Sequence, residues 1–297
     1  MKPYFLSQSL YLRPLCIVVL YLCVLNFSYG EEITSGEASI ELSGREFEVQ
    51  TLLQLSELQI QQKDYEQALI SLTRADELSA AFTENTFRKL VLNSFANVYY
   101  QTDQLEQAGR YYEALIEMDE ASGDESSLAV SLYNLAHVNA SQKDFEQAEG
   151  HFKRSLQLSE SEQDDSGAGF TLKAMGVNAQ AQQDFIKARN YLEASFMRFQ
   201  GVFDEGQMAS VLRHLGDVEQ ADGHLEKAIA YYQQALPILV DDTFIEALIN
   251  TYRGLSRAYE KLGDYQQAFV SYRAYAQLSI QEQVQQCFAY YTTSIQK

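Results

Sequence analysis

The side chains with the strongest intrinsic chemistry are the four histidines and Cys287, one of three cysteines, and their spacing does not favour catalysis. His137, His151, His214 and His224 fall in different segments or on different predicted helix faces, without the close spacing of metal ligands. Cys287 has no evident histidine partner, and no glycine-rich phosphate loop follows a strand because no strand is predicted. We therefore interpret the histidines as surface residues with satisfied hydrogen bonds, and we expect neither an enzyme nor a bound metal or cofactor.

A second chemically active group is basic and recurs at a fixed interval. Lys173, Arg213 and Arg253 are spaced 40 residues apart, and Arg257 follows one helical turn after the last of them. Stacked in one column, these cations would bind the carboxylates of acidic side chains or of a free C terminus, since guanidinium groups bind carboxylates bidentately. Asp217 lies on the same stripe, so internal charge balancing is the alternative interpretation.

Amides and aromatic rings make up a third group. Asn93, Asn97 and Tyr100 are spaced to share one stripe of a helix, and Tyr133 and His137 share a similar stripe on a later helix. Asparagine side chains both donate to and accept from a peptide backbone, while rings supply flat apolar area at low entropic cost. We predict that this stripe binds an extended peptide; a solvated face with incidental aromatic residues is the alternative.

The elements that must position these residues are repeats. A shift of 40 residues superimposes the chain on itself through six copies, and one column of the alignment is alanine. The column consists of Ala68, Ala108, Ala148, Ala188, Ala228 and Ala268. Within each copy, two stretches with helical spacing are separated by a short polar turn. An aspartate precedes the second stretch in four copies and is predicted to cap that helix. These four residues are Asp64, Asp144, Asp184 and Asp264.

Columns of small and of large residues predict closely paired helices. The small column of the first helix is Ser56, Ala96, Ala136, Gly176, Gly216 and Ser256. The large column of the second helix is Leu72, Tyr112, Phe152, Leu192, Tyr232 and Tyr272. Small residues let two backbones approach, and the large column packs toward the neighbouring repeat. Pro237 is predicted to kink or shorten the second helix of the fifth copy.

These patterns resemble tetratricopeptide repeats. The segments Lys-Asp-Phe-Glu-Gln-Ala at 143–148 and Gly-Asp-Tyr-Gln-Gln-Ala at 263–268 carry the resemblance, which covers about residues 46 to 284. The period is longer than the usual 34 residues and is similar to that of kinesin light chains and bacterial peptide-pheromone regulators. The resemblance implies an all-α solenoid of about six helix-turn-helix repeats in a right-handed superhelix. Its first helices would line a concave groove that binds a protein or peptide.

The charge balance argues against one class of partner. The chain carries 41 acidic and 22 basic residues, for a net charge of −19. A field of that sign repels phosphate backbones and anionic lipid headgroups and favours solubility of a long surface. We therefore expect no nucleic-acid partner.

The first thirty residues differ in composition and predict a signal peptide. Lys2 and Arg13 precede an almost wholly apolar run over 15–27, and the small residues Ser28 and Gly30 suit signal peptidase. We expect cleavage after residue 30 and a periplasmic location; an uncleaved membrane anchor is the alternative.

Two further segments flank the predicted repeats. Residues 31–45 are expected to form a flexible lead-in, and residues 285–297 a C-terminal capping helix that also offers a surface for a homodimer. Once residues 1–30 are removed, Cys287 is the only remaining cysteine, so no internal disulfide is expected.

The function that these observations favour is binding. The leading hypothesis is an exported scaffold or sensor that binds a protein or peptide in its groove. The alternative is the periplasmic sensory half of a bacterial signalling protein, because similar arrays precede a diguanylate cyclase or histidine kinase module in longer chains.

Overall fold

The computed structural model describes residues 33–82, 85–239 and 245–295, with side chains described from 44 to 283 within those ranges. These residues form twelve α-helices and one 3-10 turn, and the described part contains no strand, which confirms the predicted all-α fold. The predicted signal segment, residues 1–30, lies outside the described residues. The chain divides into two compact units, the first ending at Gln142 and the second beginning at Lys143.

The helices follow one another in pairs, and we call the odd-numbered members first helices and the even-numbered members second helices. The first unit contains α1 (Ile33–Gln61), α2 (Tyr65–Ser79), α3 (Thr86–Gln101), α4 (Leu105–Ser122) and α5 (Glu125–Ser141). The second contains α6 (Phe145–Ser161), α7 (Asp165–Ala181), α8 (Phe185–Gly201), α9 (Glu205–Ala221), α10 (Leu225–Ala235), α11 (Ile245–Leu262) and α12 (Tyr265–Ile295). Within each unit, helices adjacent in sequence pack on each other, as expected for stacked repeats.

Aspartate caps define the turns. Asp64, Asp144, Asp184 and Asp264 each accept a hydrogen bond from the backbone N–H three residues later, which confirms the predicted caps. Three first helices are capped in the same way, by Asp124, Asp164 and Asp204. The connections before α7 and α9 are therefore short turns that end at a capping aspartate.

The helix ends differ from the sequence expectation at two places and agree with it at a third. The helix α1 begins at Ile33, so most of the segment expected to be a flexible lead-in is helical. The helix α12 continues without a break to Ile295, and no separate helix begins at residue 285. Pro237 shortens α10 as predicted: the helix ends at Ala235 and a 3-10 turn follows over Leu236–Ile238, because proline cannot donate the next helical hydrogen bond.

Small residues create the space in which the large second-helix column packs. All six alanines of the repeat column are buried. Tyr232 of α10 is fully buried, and its ring faces two glycines, Gly216 on α9 and Gly254 on α11. A Cβ atom at either glycine would lie 2.6 Å from the ring. The same relation holds one repeat earlier, where a Cβ on Gly176 would lie 2.6 Å from Leu192.

This packing predicts opposite effects for two glycine substitutions. Gly216→Ala is expected to lower the free energy of unfolding by about 1–3 kcal/mol, because the added methyl group meets a buried ring that has no space to move. Gly150 is the matched control, since it lies on the exposed side of α6 with nothing within 4 Å of an added Cβ. Gly150→Ala should raise the free energy of unfolding by about 0.5–1 kcal/mol. Urea unfolding checks both values, and stabilisation by both variants would contradict the assigned packing.

Candidate functional site

The predicted basic column begins with a buried lysine. Lys173 lies on α7 with 8% of its surface exposed, and its Nζ donates a hydrogen bond to Gln207 Oε1 at 2.6 Å. The Nζ also lies 4.9 Å from the centroid of the Phe170 ring and 5.7 Å from that of Phe199. Burial, followed by the nearby charge of Arg213, lowers the pKa of Lys173 to about 8. Lys173 is therefore a cation that the fold has largely removed from water.

The next member of the column, Arg213, belongs to a polar network on α9 and α10. Its Nη1 lies 2.7 Å from Asp217 Oδ2, which is the intrahelical pair that the sequence suggested. The second carboxylate oxygen of Asp217 accepts from the hydroxyl of Tyr232 at 2.7 Å, and this hydroxyl also lies 3.0 Å from Gln220 Oε1. Arg213 therefore has an internal counter-ion but keeps part of its surface accessible.

The expectation that all histidines lie on the surface is wrong for His214. This residue is buried, and its Nε2 lies 2.6 Å from Arg213 Nη2. Because guanidinium only donates, this ring nitrogen must be the unprotonated acceptor. Burial, followed by the charges of Arg213 and Lys173, lowers the pKa of His214 well below its usual value. The ring is therefore neutral at physiological pH and adds no charge to the column.

The last two cations, Arg253 and Arg257, lie on α11 and are exposed. Arg253 Nη2 donates to Asn250 Oδ1 at 2.7 Å. Within the described ranges, neither residue forms an ion pair. The cations of the column thus have three environments: Lys173 is buried, Arg213 is paired, and Arg253 and Arg257 are exposed. The two exposed arginines are best placed to bind a carboxylate from solution.

The amide and ring residues lie in the first unit. Tyr133 and His137 are neighbours on α5, with ring centroids 4.6 Å apart in an edge-on arrangement. Tyr133 is buried, which raises its pKa, and the proximity of Tyr100 raises it further. The Tyr100 hydroxyl lies 2.9 Å from Ser141 Oγ, and Asn97 Oδ1 accepts from Gln101 Nε2 at 2.7 Å. Asn93 is half-buried on α3.

Tyr133 and His137 therefore form an aromatic pair that lies near Tyr100, and Tyr133 contributes to the core. Asn97 already accepts one hydrogen bond within its own helix, so its amide group retains the donor capacity for a ligand. The half-buried Asn93 and Tyr100 leave part of this face open to solvent.

A charged cluster that sequence reasoning missed lies between α8 and α9. Glu219 is 2% exposed, and its Oε1 accepts from Arg189 Nε at 2.7 Å while its Oε2 lies 2.9 Å from His224 Nδ1. Arg189 also binds Asp222. The ligand atoms of Glu219, Asp222 and His224 lie within 4.8 Å of one another, a spacing that a metal ion requires. However, the guanidinium already holds both carboxylates, so the cluster is complete as an internal ion pair.

One sequence signal does point to this cluster. His224 occupies the position that is a capping aspartate in four other copies, and it makes no side-chain cap hydrogen bond to α10. A missing cap indicates that the residue type serves another contact, which here is the buried Glu219.

Comparisons with known proteins agree with this architecture. A family model described as "Tetratricopeptide repeat" matches residues 88–161 and 169–239, and a second model with the same description matches residues 49–82. No curated protein gives a sequence match. None of the described helices combines the length and the apolar character needed to cross a bilayer.

Solved structures with a similar fold include the following three. Aspartyl phosphate phosphatase F from Bacillus subtilis has a TM-score of 0.64 at 14% identity, covering 82% of this chain and 73% of its own. A Rap protein complexed with Competence and Sporulation Factor has a TM-score of 0.58 at 14% identity, with coverages of 79% and 75%. A putative kinesin light chain from Podospora anserina has a TM-score of 0.54 at 15% identity, with coverages of 66% and 97%. At these identities the likeness is one of fold alone.

Proposed function

Since the chain belongs to the tetratricopeptide repeat family, we propose that it is an exported, non-catalytic scaffold or sensor that binds a protein or peptide along its first helices. Repeat arrays of this kind present extended surfaces, and their first helices line the groove that the family uses for binding. One of the similar folds was solved as a complex with Competence and Sporulation Factor, which supports a protein or peptide ligand.

The observation that carries this proposal is the exposed basic end of the column on α11. The chain has a net charge of −19, yet Arg253 and Arg257 stand one turn apart on a first helix with no ion pair in the part of the chain that the structure describes. On an acidic protein, solvation alone does not require such a pair. A ligand carboxylate, from an acidic side chain or a free C terminus, would satisfy both guanidinium groups.

The partly paired members extend this surface in the second unit. Arg213 shares its charge with Asp217, so a ligand carboxylate would compete with an existing contact there and would add less affinity. Lys173 is buried beside Phe170 and Phe199 and donates to Gln207, so it is the least accessible cation of the column. In the first unit, Asn93, Asn97 and Tyr100 offer amide and hydroxyl groups for a peptide backbone.

The proposal excludes catalysis by this chain, although one protein of similar fold is named a phosphatase. At 14% identity, that name carries no activity to this chain. Burial lowers the pKa values of Lys173 and His214 in the second unit, and we assign both a structural role, as a cation that donates to Gln207 and as a neutral ring beside Arg213.

Export is the second part of the proposal and rests on the composition of residues 1–30. A basic start, an apolar run and small residues before Glu31 suit the secretory route. For the protein purified from its native host, an intact mass that corresponds to a chain starting at Glu31 would support cleavage. A full-length mass would favour the membrane-anchor alternative.

The ligand proposal is tested on an array of acidic, neutral and basic synthetic peptides, each with a free and an amidated C terminus. The wild-type protein should retain acidic or free C-terminal peptides. Arg253→Glu/Arg257→Glu should reduce that binding more than about tenfold, because each lost charge-assisted hydrogen bond contributes about 1.5–3 kcal/mol. Lys173 and Arg213 are left unchanged because reversing a buried charge would also affect folding.

The matched control is Arg110→Glu/Lys227→Glu, which makes the same charge change on exposed positions of the second helices α4 and α10. This variant should bind as the wild type does. An equal loss of peptide binding in both variants would show that net charge alone causes the loss. Unchanged binding by Arg253→Glu/Arg257→Glu, or no peptide retained by the wild type, would overturn the assignment of the basic column.

A further inference from the structure

Two junctions between repeats, one in each unit, use the same residue columns. At the junction of α10 with α11, Ile229 and Tyr232 pack with Leu255 and Ala258. At the junction of α4 with α5, Tyr112 packs with Leu135 and Val138, and Gly109 faces the same two residues. The second helix therefore contributes two columns, those of Ile229 and Tyr232, and the following first helix contributes the columns of Leu255 and Ala258.

At the beginning of the array, the first-helix columns are exposed. Leu55 is 41% exposed and Leu58 is 49% exposed on α1. In the five later copies, the residues of the Leu55 column are at most 7% exposed. They are Phe95, Leu135, Met175, Leu215 and Leu255. The Leu58 column behaves in the same way, since its later members are at most 4% exposed. We call Leu55, Leu58 and the adjacent Phe47, which is also exposed, the leading face.

At the other end, the second-helix columns are exposed. Tyr272 on α12 is 55% exposed, whereas the five earlier members of its column are at most 1% exposed. These earlier members are Leu72, Tyr112, Phe152, Leu192 and Tyr232. Phe269, in the column of Ile229, is 64% exposed, and Tyr265 is exposed beside it. We call Tyr265, Phe269 and Tyr272 the trailing face.

The terminal helices also share an unusual length. The helix α1 has 29 residues and α12 has 31, whereas the helices between them have 11 to 18. The extra length is at the N-terminal end of α1 and the C-terminal end of α12. At an internal junction, the C-terminal end of a second helix lies next to the N-terminal end of the following first helix, because a turn of a few residues joins them. If α12 of one molecule packed on α1 of another as at an internal junction, the C-terminal extension of α12 would lie alongside the N-terminal extension of α1.

We propose that a second copy of this chain covers these faces, with the trailing face of one molecule packed on the leading face of the next. A second copy is the partner that fits, because the two junctions described above already bury the same columns against each other. In them the Ile229 and Tyr232 columns of a second helix pack on the Leu255 and Ala258 columns of the following first helix. Such an interface is heterologous, so each molecule keeps one face for a further copy and chains longer than a dimer form. This head-to-tail contact is distinct from a symmetric dimer through α12 and goes beyond the proposed ligand binding.

Charge sets the conditions under which the contact forms. Two molecules that each carry a net charge of −19 repel each other at long range. Salt screens this repulsion over about 10 Å at 0.1 M ionic strength and does not weaken apolar burial. Self-association should therefore strengthen between 20 mM and 300 mM salt, which is opposite to the salt dependence expected for carboxylate binding by the basic column.

The test uses two variants, each of which damages one face. Leu55→Asp/Leu58→Asp removes the leading face, and Phe269→Asp/Tyr272→Asp removes the trailing face. All four residues are exposed, so the helices should remain folded by circular dichroism. The proteins are expressed from the full coding sequence, so that any removal of the N-terminal segment occurs before purification, and their masses are measured by sedimentation and native mass spectrometry.

The wild type should show an average mass that rises with concentration beyond that of a dimer. Each variant alone should self-associate at least about tenfold more weakly. An equimolar mixture of the two should form a one-to-one heterodimer that does not grow, because each variant supplies the face that the other lacks.

Three results would overturn the proposal. The wild type could remain monomeric at several hundred micromolar in 300 mM salt. The Leu55→Asp/Leu58→Asp variant could still dimerise by itself, which would show a symmetric contact through α12. The mixture could remain monomeric although the wild type associates, which would show that the two faces do not bind each other.

Discussion

Arg189→Met is expected to lower the free energy of unfolding by about 3–5 kcal/mol. Glu219 is 2% exposed and depends on Arg189 Nε for the hydrogen bond to its Oε1. Methionine preserves the packing of the arginine stem but leaves a buried carboxylate without its counter-ion. His224 remains at the other carboxylate oxygen but is half exposed, so it cannot replace the guanidinium within the core.

Two controls isolate this effect. Arg198→Met removes another arginine of α8 that also binds two carboxylates, those of Glu160 and Asp165, but these groups are all more than a third exposed. It should cost no more than about 1 kcal/mol, because exposed ion pairs contribute little. Arg189→Met/Glu219→Gln should recover much of the loss by removing the orphaned charge. If urea unfolding gives equal costs for Arg189→Met and Arg198→Met, Glu219 is not held as a buried anion.

The free energy of unfolding is expected to rise with pH between about 8 and 10.5 because of Lys173. Its pKa in the folded protein is about 8, below the ordinary lysine value of 10.5 that applies to the unfolded chain. Between these two values the unfolded state binds more protons than the folded state, so raising the pH favours folding. Below pH 8 both states are protonated and the full cost of burying the charge is present. The shift corresponds to about 3 kcal/mol, of which about 2 kcal/mol should be recovered between pH 7 and 9.5.

The measurement is the difference in unfolding free energy between wild type and Lys173→Met over pH 7 to 9.5, since other ionisations cancel in the difference. The free energy of unfolding of the wild type should increase relative to that of the variant as the pH rises. Lys227→Met, at an exposed lysine of α10, controls for the loss of one positive charge and should give a flat difference. A flat difference for Lys173→Met as well would mean that Lys173 is not desolvated.

The same shift bears on ligand binding. A ligand carboxylate that approached Lys173 would stabilise its protonated form and raise its pKa. The affinity for the ligand would then be highest below about pH 8. It would fall as the pH rises through the higher pKa that Lys173 has in the complex. Binding through Arg253 and Arg257 alone would not vary over this range, because arginine stays protonated. The pH dependence of peptide binding therefore separates the buried and exposed ends of the column.

Much of the fold could be predicted because its determinants are local and repeated. An aspartate that accepts a hydrogen bond from an N–H three residues later needs no distant contact, and the caps at Asp64 and Asp264 are visible in the sequence for that reason. The alanine column gave the register, since a small residue at one helix crossing must recur wherever that crossing recurs. The shortening of α10 before Pro237 follows from a single covalent property of proline.

The environments of the candidate-site residues were harder to predict from the sequence. Spacing placed Lys173, Arg213 and Arg253 in one column, but it assigned the three cations the same exposure. The structure gives Lys173 a nearly buried position between Phe170 and Phe199 of different helices, and it places Arg213 against His214 and Asp217. The missing cap at His224 marks this part of the second unit in the sequence, but nothing there joins Arg189 to Glu219, because these residues are 30 positions apart and belong to different repeats.

By itself, the sequence determined the all-α class, the caps, the small and large columns and the order of the helices, because these depend on interactions within a few residues and on a pattern that recurs. Only the tertiary structure decided which charged side chains are buried, which carboxylate each arginine meets and which columns stay exposed on α1 and α12. Those properties depend on which helices lie over a residue, and in this chain the same column is covered in five copies and exposed in the sixth.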